Sequence, residues 1–281
     1  MKNFNTIFLL FILFVFSCNA IKVEPVEDNP KTLILGHRAA GSIWYGSELI
    51  GNSFEAVKYG YTNLDGIEVD LQMSKDSTIW LIHDNEIVNC TNDTIPVCFL
   101  TDIEIGEIDK CTEGSLITLE ELFDYLSKSE NKKFVSLDMK VVTNNYCFDN
   151  SSVDPWIELI ADKIINLRDR YNPNCILAVE SWDIRFLELI EDKKSDIETY
   201  LLVWNTLKQE DLDNASSKGV NGLSCNFDSE ISKNMIDQAG KLNLKIQVWT
   251  PNSEDDIKSA LFLNPFAIQT DNVKYFVFNE E

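Results

Sequence analysis

The sequence predicts an α/β fold, a TIM (β/α)8 barrel with a β-hairpin extension after its second strand. Three observations predict it. Eight short apolar β-type runs alternate with amphipathic helical stretches from Thr32 to the C-terminus. Polar and charged residues gather at the C-terminal ends of those runs, where a barrel carries its functional groups. The 281 residues suit a single barrel of ordinary size. A doubly wound open sheet is the competing architecture, and the sequence holds no GxGxxG and no P-loop to support it.

The elements follow in order. In the first twenty residues, MKNFNTIFLLFILFVFSCNA, Lys2 precedes an apolar run from Ile7 to Phe16 that is short for a membrane span. Residues 1–17 are therefore expected to be a signal peptide. The run ends in VFSC, which is similar to a bacterial lipobox with Cys18 as the lipidated residue; a plain signal peptide is the alternative. Residues 18–31, with Pro25 and Pro30, form an expected tether, and residues 32–281 the barrel domain. Either N-terminal reading exports the protein, the lipidated one to the periplasm, outer membrane or cell surface of a bacterium.

The strand candidates are Leu33–Arg38, Ile67–Met73, Phe134–Met139, Ile176–Ser181, Tyr200–Trp204, Gly222–Asn226, Ile246–Thr250 and Ala267–Thr270. Helix starts lie between them. Asn52 with Glu55, and Thr118 with Glu121, have the spacing of capping boxes. Asp154-Pro155 pairs an N-cap with proline at the first helical position, and Ser253 precedes Asp255 and Asp256 in a first turn.

Between the second and third strands, Ile79–His83 is β-rich but leaves no room for a helix after Ile67–Met73, so the two form a hairpin. A two-residue turn at Asp76-Ser77 would set Asp70 opposite His83. Glu68 and Asp70, two apart on one strand, share a face. The turn then gathers two carboxylates and an imidazole at one end of the barrel.

The chain has two histidines, His37 and His83, and both fall at strand C-termini on that rim. Unperturbed imidazole titrates near ~6.5, so two of them can divide acid and base work near neutral pH. Glu68, Asp70 and Asp138 offer oxygen only, which suits one divalent cation, Ca²⁺ or Mg²⁺, rather than zinc or copper. The competing account pairs these acids with Arg38 and Lys140 as structural ion pairs. Those same two cations are what a phosphate requires. The formal charge of −22, from 46 acidic and 24 basic residues, argues against nucleic acid as a partner.

Cys18 aside, six cysteines remain, an even number that permits disulfides in an exported chain. Cys90 and Cys98 are close enough in sequence to bridge a local loop, and buried thiols are the alternative. No Cys/His spacing points to zinc.

LILGHR, GIEVDLQMSKDSTIWLIHD and LITLEELFDYL, followed in order by SLDMK, VES, VWTPN and IQTDN, resemble the glycerophosphodiester phosphodiesterase family. The resemblance extends over the whole chain after the tether. It implies His37 and His83 as the acid/base pair, Glu68, Asp70 and Asp138 as metal ligands, Arg38 and Lys140 as phosphate contacts, and Trp249 in the substrate pocket. It implies hydrolysis of a small glycerophosphodiester to sn-glycerol 3-phosphate and an alcohol, with the membrane as partner only through the lipid anchor. Phospholipase-like cleavage of another phosphodiester lipid is one alternative; a non-catalytic phosphate-ligand-binding surface lipoprotein is the other. Three departures stand out: HRAAG replaces HRG, with Gly41 two places late; GNS replaces Glu-Asn-Thr; and Asp138 stands where the family usually has glutamate.

Overall fold

Alternation along the strands decides which side chains reach the barrel axis. The computed structural model describes residues 31–42, 45, 47–112, 116–140, 147, 153–193 and 196–277. The signal segment, Cys18 and the tether up to Pro30 lie outside the described residues.

Eleven strands are described: β1 (Leu33–Gly36), β2 (Gly66–Met73), β3 (Ile79–Leu81), β4 (Glu86–Val88), β5 (Thr94–Pro96), β6 (Lys133–Met139), β7 (Cys175–Ser181), β8 (Glu198–Val203), β9 (Gly222–Asn226), β10 (Lys245–Trp249) and β11 (Ala267–Thr270). The helices are α1 (Phe54–Asn63), α2 (Asp102–Thr112), α3 (Leu119–Ser127), α4 (Val153–Tyr171), α5 (Ile184–Lys193), α6 (Gln209–Lys218), α7 (Lys233–Lys241), α8 (Glu254–Leu263) and α9 (Val273–Val277). The eight expected strands pair in parallel in the order β1-β11-β10-β9-β8-β7-β6-β2, and β1 pairs with β2 to close the barrel. It is a TIM barrel.

The outward set, including Ile67, Val69, Leu71, Val135, Leu137, Val179 and Val248, is buried under the helices in the main hydrophobic cluster. The inward set is layered. Leu35, Phe134, Ala178, Tyr200 and Ala267 plug the N-terminal end. Above them the parallel register aligns Glu68 with Ser136 and Asp70 with Asp138, and sets Asp138 beside Glu180. The plug makes the interior a packed core; the polar layer above it makes a floor for chemistry.

Helix caps hold in part. Thr118 and Glu121 form the expected capping box, and the Ser253 side chain accepts the Asp256 N–H. The cap of α1 is Ser53 rather than Asn52, because Asn52 sits in the left-handed region at φ 62°. Helix α4 begins at Val153, which places Asp154-Pro155 inside its first turn.

The hairpin register differs from expectation. Leu71 pairs with Leu81, Gln72 with Trp80 and Met73 with Ile79, so Asp70 faces Ile82 rather than His83. The cause is the turn: Lys75, Asp76 and Ser77 make a three-residue loop closed by Ser74 N–H to Thr78 O, with Ser77 at φ 63°. A left-handed third residue is the usual way such loops finish. A further small hairpin, β4 with β5, and helix α2 extend the same insertion.

The local Cys90–Cys98 bridge is not formed. Cys98 is bonded to Cys147, and Cys90 is also in a disulfide. Cys175 and Cys225 are free thiols.

Candidate active site

The β1–α1 turn builds one wall of the site. Arg38 and Ala39 are both left-handed, at φ 50° and 70°, and Gly41 follows at φ 78°. The Ala39 N–H donates to Glu68 O at 2.7 Å, and the Gly41 N–H to His37 O at 2.7 Å. A Cβ on Gly41 would lie 2.0 Å from Asp271 O, so Gly41 is the residue that this altered turn cannot replace. Ala39 holds a conformation that costs an L residue on the order of 1 kcal/mol or more, compensated by those hydrogen bonds. Gly51 leaves room for the Arg38 stem: a Cβ there would meet Arg38 Cβ at 2.8 Å.

This turn and β2 bring the acids together. Glu68 and Asp70 are almost fully buried, and Glu68, Asp70 and Asp138 each present a carboxylate oxygen within 4.8 Å of the other two. Asn52 clamps Asp70 twice, its Nδ2 donating to Oδ2 at 2.8 Å and its Oδ1 accepting the Asp70 N–H at 3.1 Å. The Arg38 N–H donates to Glu68 Oε2 at 2.9 Å. Lys140 Nζ bridges the remaining acids, 2.8 Å from Asp70 Oδ1 and in contact with Asp138.

Electrostatics follow from burial and partners. Burial, reinforced by Asp70, Glu180 and Asp138, raises the Glu68 carboxyl well above the usual carboxylate range. Burial acts upward on Asp70 as well, but Lys140, then His83 and His37, pull it far below its ordinary value. Burial outweighs Lys140 at Asp138 and raises it. Burial alone would lower Lys140; the Asp138 and Asp70 charges reverse that and hold it as an ammonium.

Three acids with one oxygen each in reach are a fit for a hard divalent cation. Glu68 Oε1 is buried with no hydrogen-bond partner, an uncompensated acceptor that a cation would satisfy.

Both imidazoles are held by carboxylates. His37 Nδ1 is 2.8 Å from Asp271 Oδ1, and Asn52's counterpart on the far side, Asn252, donates to Asp271 Oδ2 at 2.9 Å. Burial pushes Asp271 upward, and the His37 hydrogen bond and charge then carry it below its ordinary value, so it accepts. The proton therefore sits on Nδ1 and leaves His37 Nε2 toward the acids, 3.9 Å from Glu68 Oε2. His83 Nδ1 lies 2.6 Å from Asp84 Oδ1, which frees its Nε2 in the same way. His83 lines the site despite the altered register because it lies beyond the end of β3 at Leu81, where strand alternation no longer sets its direction.

His37, Arg38, Glu68, Asp70, His83, Asp138, Lys140 and Trp249, the complete expected set apart from Cys18, line one cavity of about 210 Å³ at the strand C-termini. Glu180, Leu202, Trp204, Thr250 and Gln269 line it too. A larger hollow of about 910 Å³ at the opposite end of the barrel has Lys31, Lys132, Lys133 and Asp65 on its walls and no histidine.

Sequence reasoning marked Glu180 and Asp271 only as polar residues at strand C-terminal ends, read Asn52 as a helix cap, and assigned none of these, nor Asp84, a step in the chemistry. Asp84 had a signal in its adjacency to His83. Asp271 needed the closure of β11 onto β1, which no local pattern carries.

The family model described as glycerophosphoryl diester phosphodiesterase family matches residues 37–275. Uncharacterized protein MG293 of Mycoplasma genitalium is 24% identical over 259 residues, covering 87% of this chain and 97% of its own. A glycerophosphodiester phosphodiesterase from Parabacteroides distasonis superposes with TM-score 0.71 at 16% identity, covering 88% of this chain and 95% of that one. An Oleispira antarctica phosphodiesterase, solved in complex with the product sn-glycerol-3-phosphate, superposes with TM-score 0.69 at 14% identity over 88% and 95% of the two chains.

Proposed function

The chain belongs to the glycerophosphoryl diester phosphodiesterase family, and from that premise we propose that it hydrolyses glycerophosphodiesters to sn-glycerol 3-phosphate and an alcohol by two-histidine, metal-assisted catalysis. The observation that carries this reading is the pair of imidazoles, each with Nδ1 on a carboxylate and Nε2 free, flanking the same acid cluster.

Glu68, Asp70 and Asp138 would hold one Ca²⁺ or Mg²⁺. Such an ion supplies Lewis-acid neutralisation of phosphate charge in the transition state. Arg38 and Lys140 bind the non-bridging oxygens and stabilise the charge that develops on them. One imidazole accepts the proton of the attacking hydroxyl as its oxygen bonds to phosphorus; water attack yields sn-glycerol 3-phosphate at once, and attack by the glycerol 2-hydroxyl yields a cyclic phosphate that water then opens to it. The other, entering as an imidazolium with a second proton on Nε2, gives that proton to the departing alkoxide as the P–O bond to the leaving group breaks. Asp271 and Asp84 each accept from Nδ1–H and so turn Nε2 toward the reacting atoms, to take a proton in one ring and to give one in the other, and each is a positioning residue.

His37→Ala and His83→Ala are each expected to lower kcat by about 10²- to 10⁴-fold with the far-UV circular dichroism unchanged. Near-normal turnover in either variant sinks the two-histidine assignment.

Export is the companion reading. The Cys98–Cys147 disulfide supports an oxidising compartment. Metabolic labelling with a radioactive fatty acid should mark the full-length protein and be lost in Cys18→Ala; equal labelling of both would refute the lipid anchor.

A further inference from the structure

The barrel mouth is divided by chemistry. Glu68, Asp70, Asp138, the cations and the imidazoles come from β1, β2, β6 and the loops beside them. Trp182 and Trp204 directly follow β7 and β8 and Trp249 ends β10, with Glu180 of β7 the one acid on that side of the cavity among the described residues. Trp182, Trp204 and Trp249 each stand two residues beyond an inward-facing residue, namely Glu180, Leu202 and Gln247. Trp204 is the middle of the wall: its ring centroid is 4.8 Å from that of Trp249 at 74°, and 6.2 Å from that of Trp182 at 43°. Trp204 and Trp249 line the central cavity, and Trp182 and Trp204 continue it as a shelf beside Asp138, Met139 and Lys140.

Trp204 is 53% exposed and Trp182 42% exposed, an unusual display of the largest apolar side chain at the edge of a polar site. Hydrophobic packing alone would have buried them. Trp249 Nε1 is buried without an acceptor, so this half also offers a donor to a substrate oxygen. Arg38 and Lys140 line the same cavity as Trp204 and Trp249, within the span of one phosphodiester and its substituent.

We propose that Trp182, Trp204 and Trp249 form a cation-accepting wall that selects phosphodiesters whose alcohol carries a quaternary ammonium. The proposal rests on the hydrolase reading above and names its substrate class. A trimethylammonium group is two methylenes from its phosphate oxygen, weakly hydrated, and attracted to the negative face of an indole. The chain's net charge of −22 concentrates such cations at the mouth. A primary ammonium is more strongly hydrated and gains less from the wall, and a neutral glycerol gains least.

The same headgroup occurs in soluble glycerophosphocholine and in choline lipids. Steady-state kcat/KM is therefore measured on glycerophosphocholine, glycerophosphoethanolamine, glycerophosphoglycerol and dispersed lysophosphatidylcholine, for wild type, Trp204→Leu, Trp204→Phe and Trp182→Leu. The wild type is expected to favour a choline substrate, and Trp204→Leu to lower the choline-to-glycerol rate ratio by about 3- to 30-fold, the range of a lost cation–π contact. Trp204→Phe should restore most of that ratio. The two choline arms show whether the soluble or the lipid form is used. A wild type indifferent to headgroup, or a ratio unchanged in Trp204→Leu, overturns the proposal.

Tetramethylammonium titration followed by intrinsic fluorescence reads the wall without turnover. Saturable quenching lost in Trp204→Leu supports it even if no diester is cleaved, which would defeat the hydrolase reading alone; absence of saturable quenching overturns it.

Discussion

Strand β6 carries a lysine at each end, and the two live in opposite surroundings. Lys133 opens the strand at the plugged end of the barrel, where its ammonium donates to the carbonyls of Thr62 at 2.9 Å and Leu64 at 2.6 Å. Burial lowers its pKa, with Asp65 opposing. Lys140, just past the other end, sits between Asp70 and Asp138, and its pKa is raised. One lysine ties off backbone acceptors beyond a helix; the other neutralises carboxylates that burial would otherwise force to protonate. The comparison extends to the hollows around them. The larger one surrounds Lys133 and has no imidazole on its walls, and the smaller one surrounds Lys140 and has two. Convergence of polar groups, rather than volume, marks the site.

The largest expected effect separates the two lysines directly. Lys140→Met should lower kcat/KM by about 10²- to 10³-fold, the loss of one charge-assisted phosphate contact, while Lys133→Met should change it less than about twofold and act instead on stability, as lost hydrogen bonds do. Equal catalytic damage from both would erase the distinction. Asp271→Asn comes next. It leaves His37 in place but removes the carboxylate that sets its tautomer, so kcat should fall by about ten- to a hundredfold or more, with the acid limb of the pH–rate profile displaced. An unchanged profile would make Asp271 a structural residue only.

The smallest effect concerns Glu180 and appears in stability. Glu180 is buried beside Asp138, and burial followed by that charge pushes its carboxyl up to about 7, against the hydrogen bond from Gln269. A raised carboxyl keeps its proton in the folded state at pH values where the unfolded chain has lost it. Stability therefore falls as pH rises from the ordinary carboxylate range to about 7, and stays reduced above it. In EDTA, Glu180→Gln should raise Tm at pH 8 by several degrees and at pH 4.5 by little. A gain of the same size at both pH values would show that Glu180 is already ionised when folded.

The barrel was legible because its parallel strands are short, apolar and regularly interrupted, and because polar and charged residues gather at the C-terminal ends of several of them. Thr118 and Ser253 were legible as caps for the same reason: their signals are local. What escaped was non-local or backbone-dependent. Ser77 gives no hint that it will adopt a left-handed conformation, and that conformation moved the hairpin register by one residue. Asn52 has the composition of an N-cap, but its positive φ turns the side chain onto Asp70. The Cys98–Cys147 bridge joins residues 49 apart, across a separation that spacing rules do not reach. Trp182, Trp204 and Trp249 meet from the ends of three separate strands, and only Trp249 sat within a motif of its own.

The most direct measurement is calorimetric titration of EDTA-stripped protein with Ca²⁺ and with Mg²⁺, run beside an assay for glycerol 3-phosphate release. The account predicts a single ion bound per chain, activity returning over the same concentration range, and loss of both in Asp70→Asn. Full activity in EDTA, or ion binding by Asp70→Asn equal to that of the wild type, would contradict it.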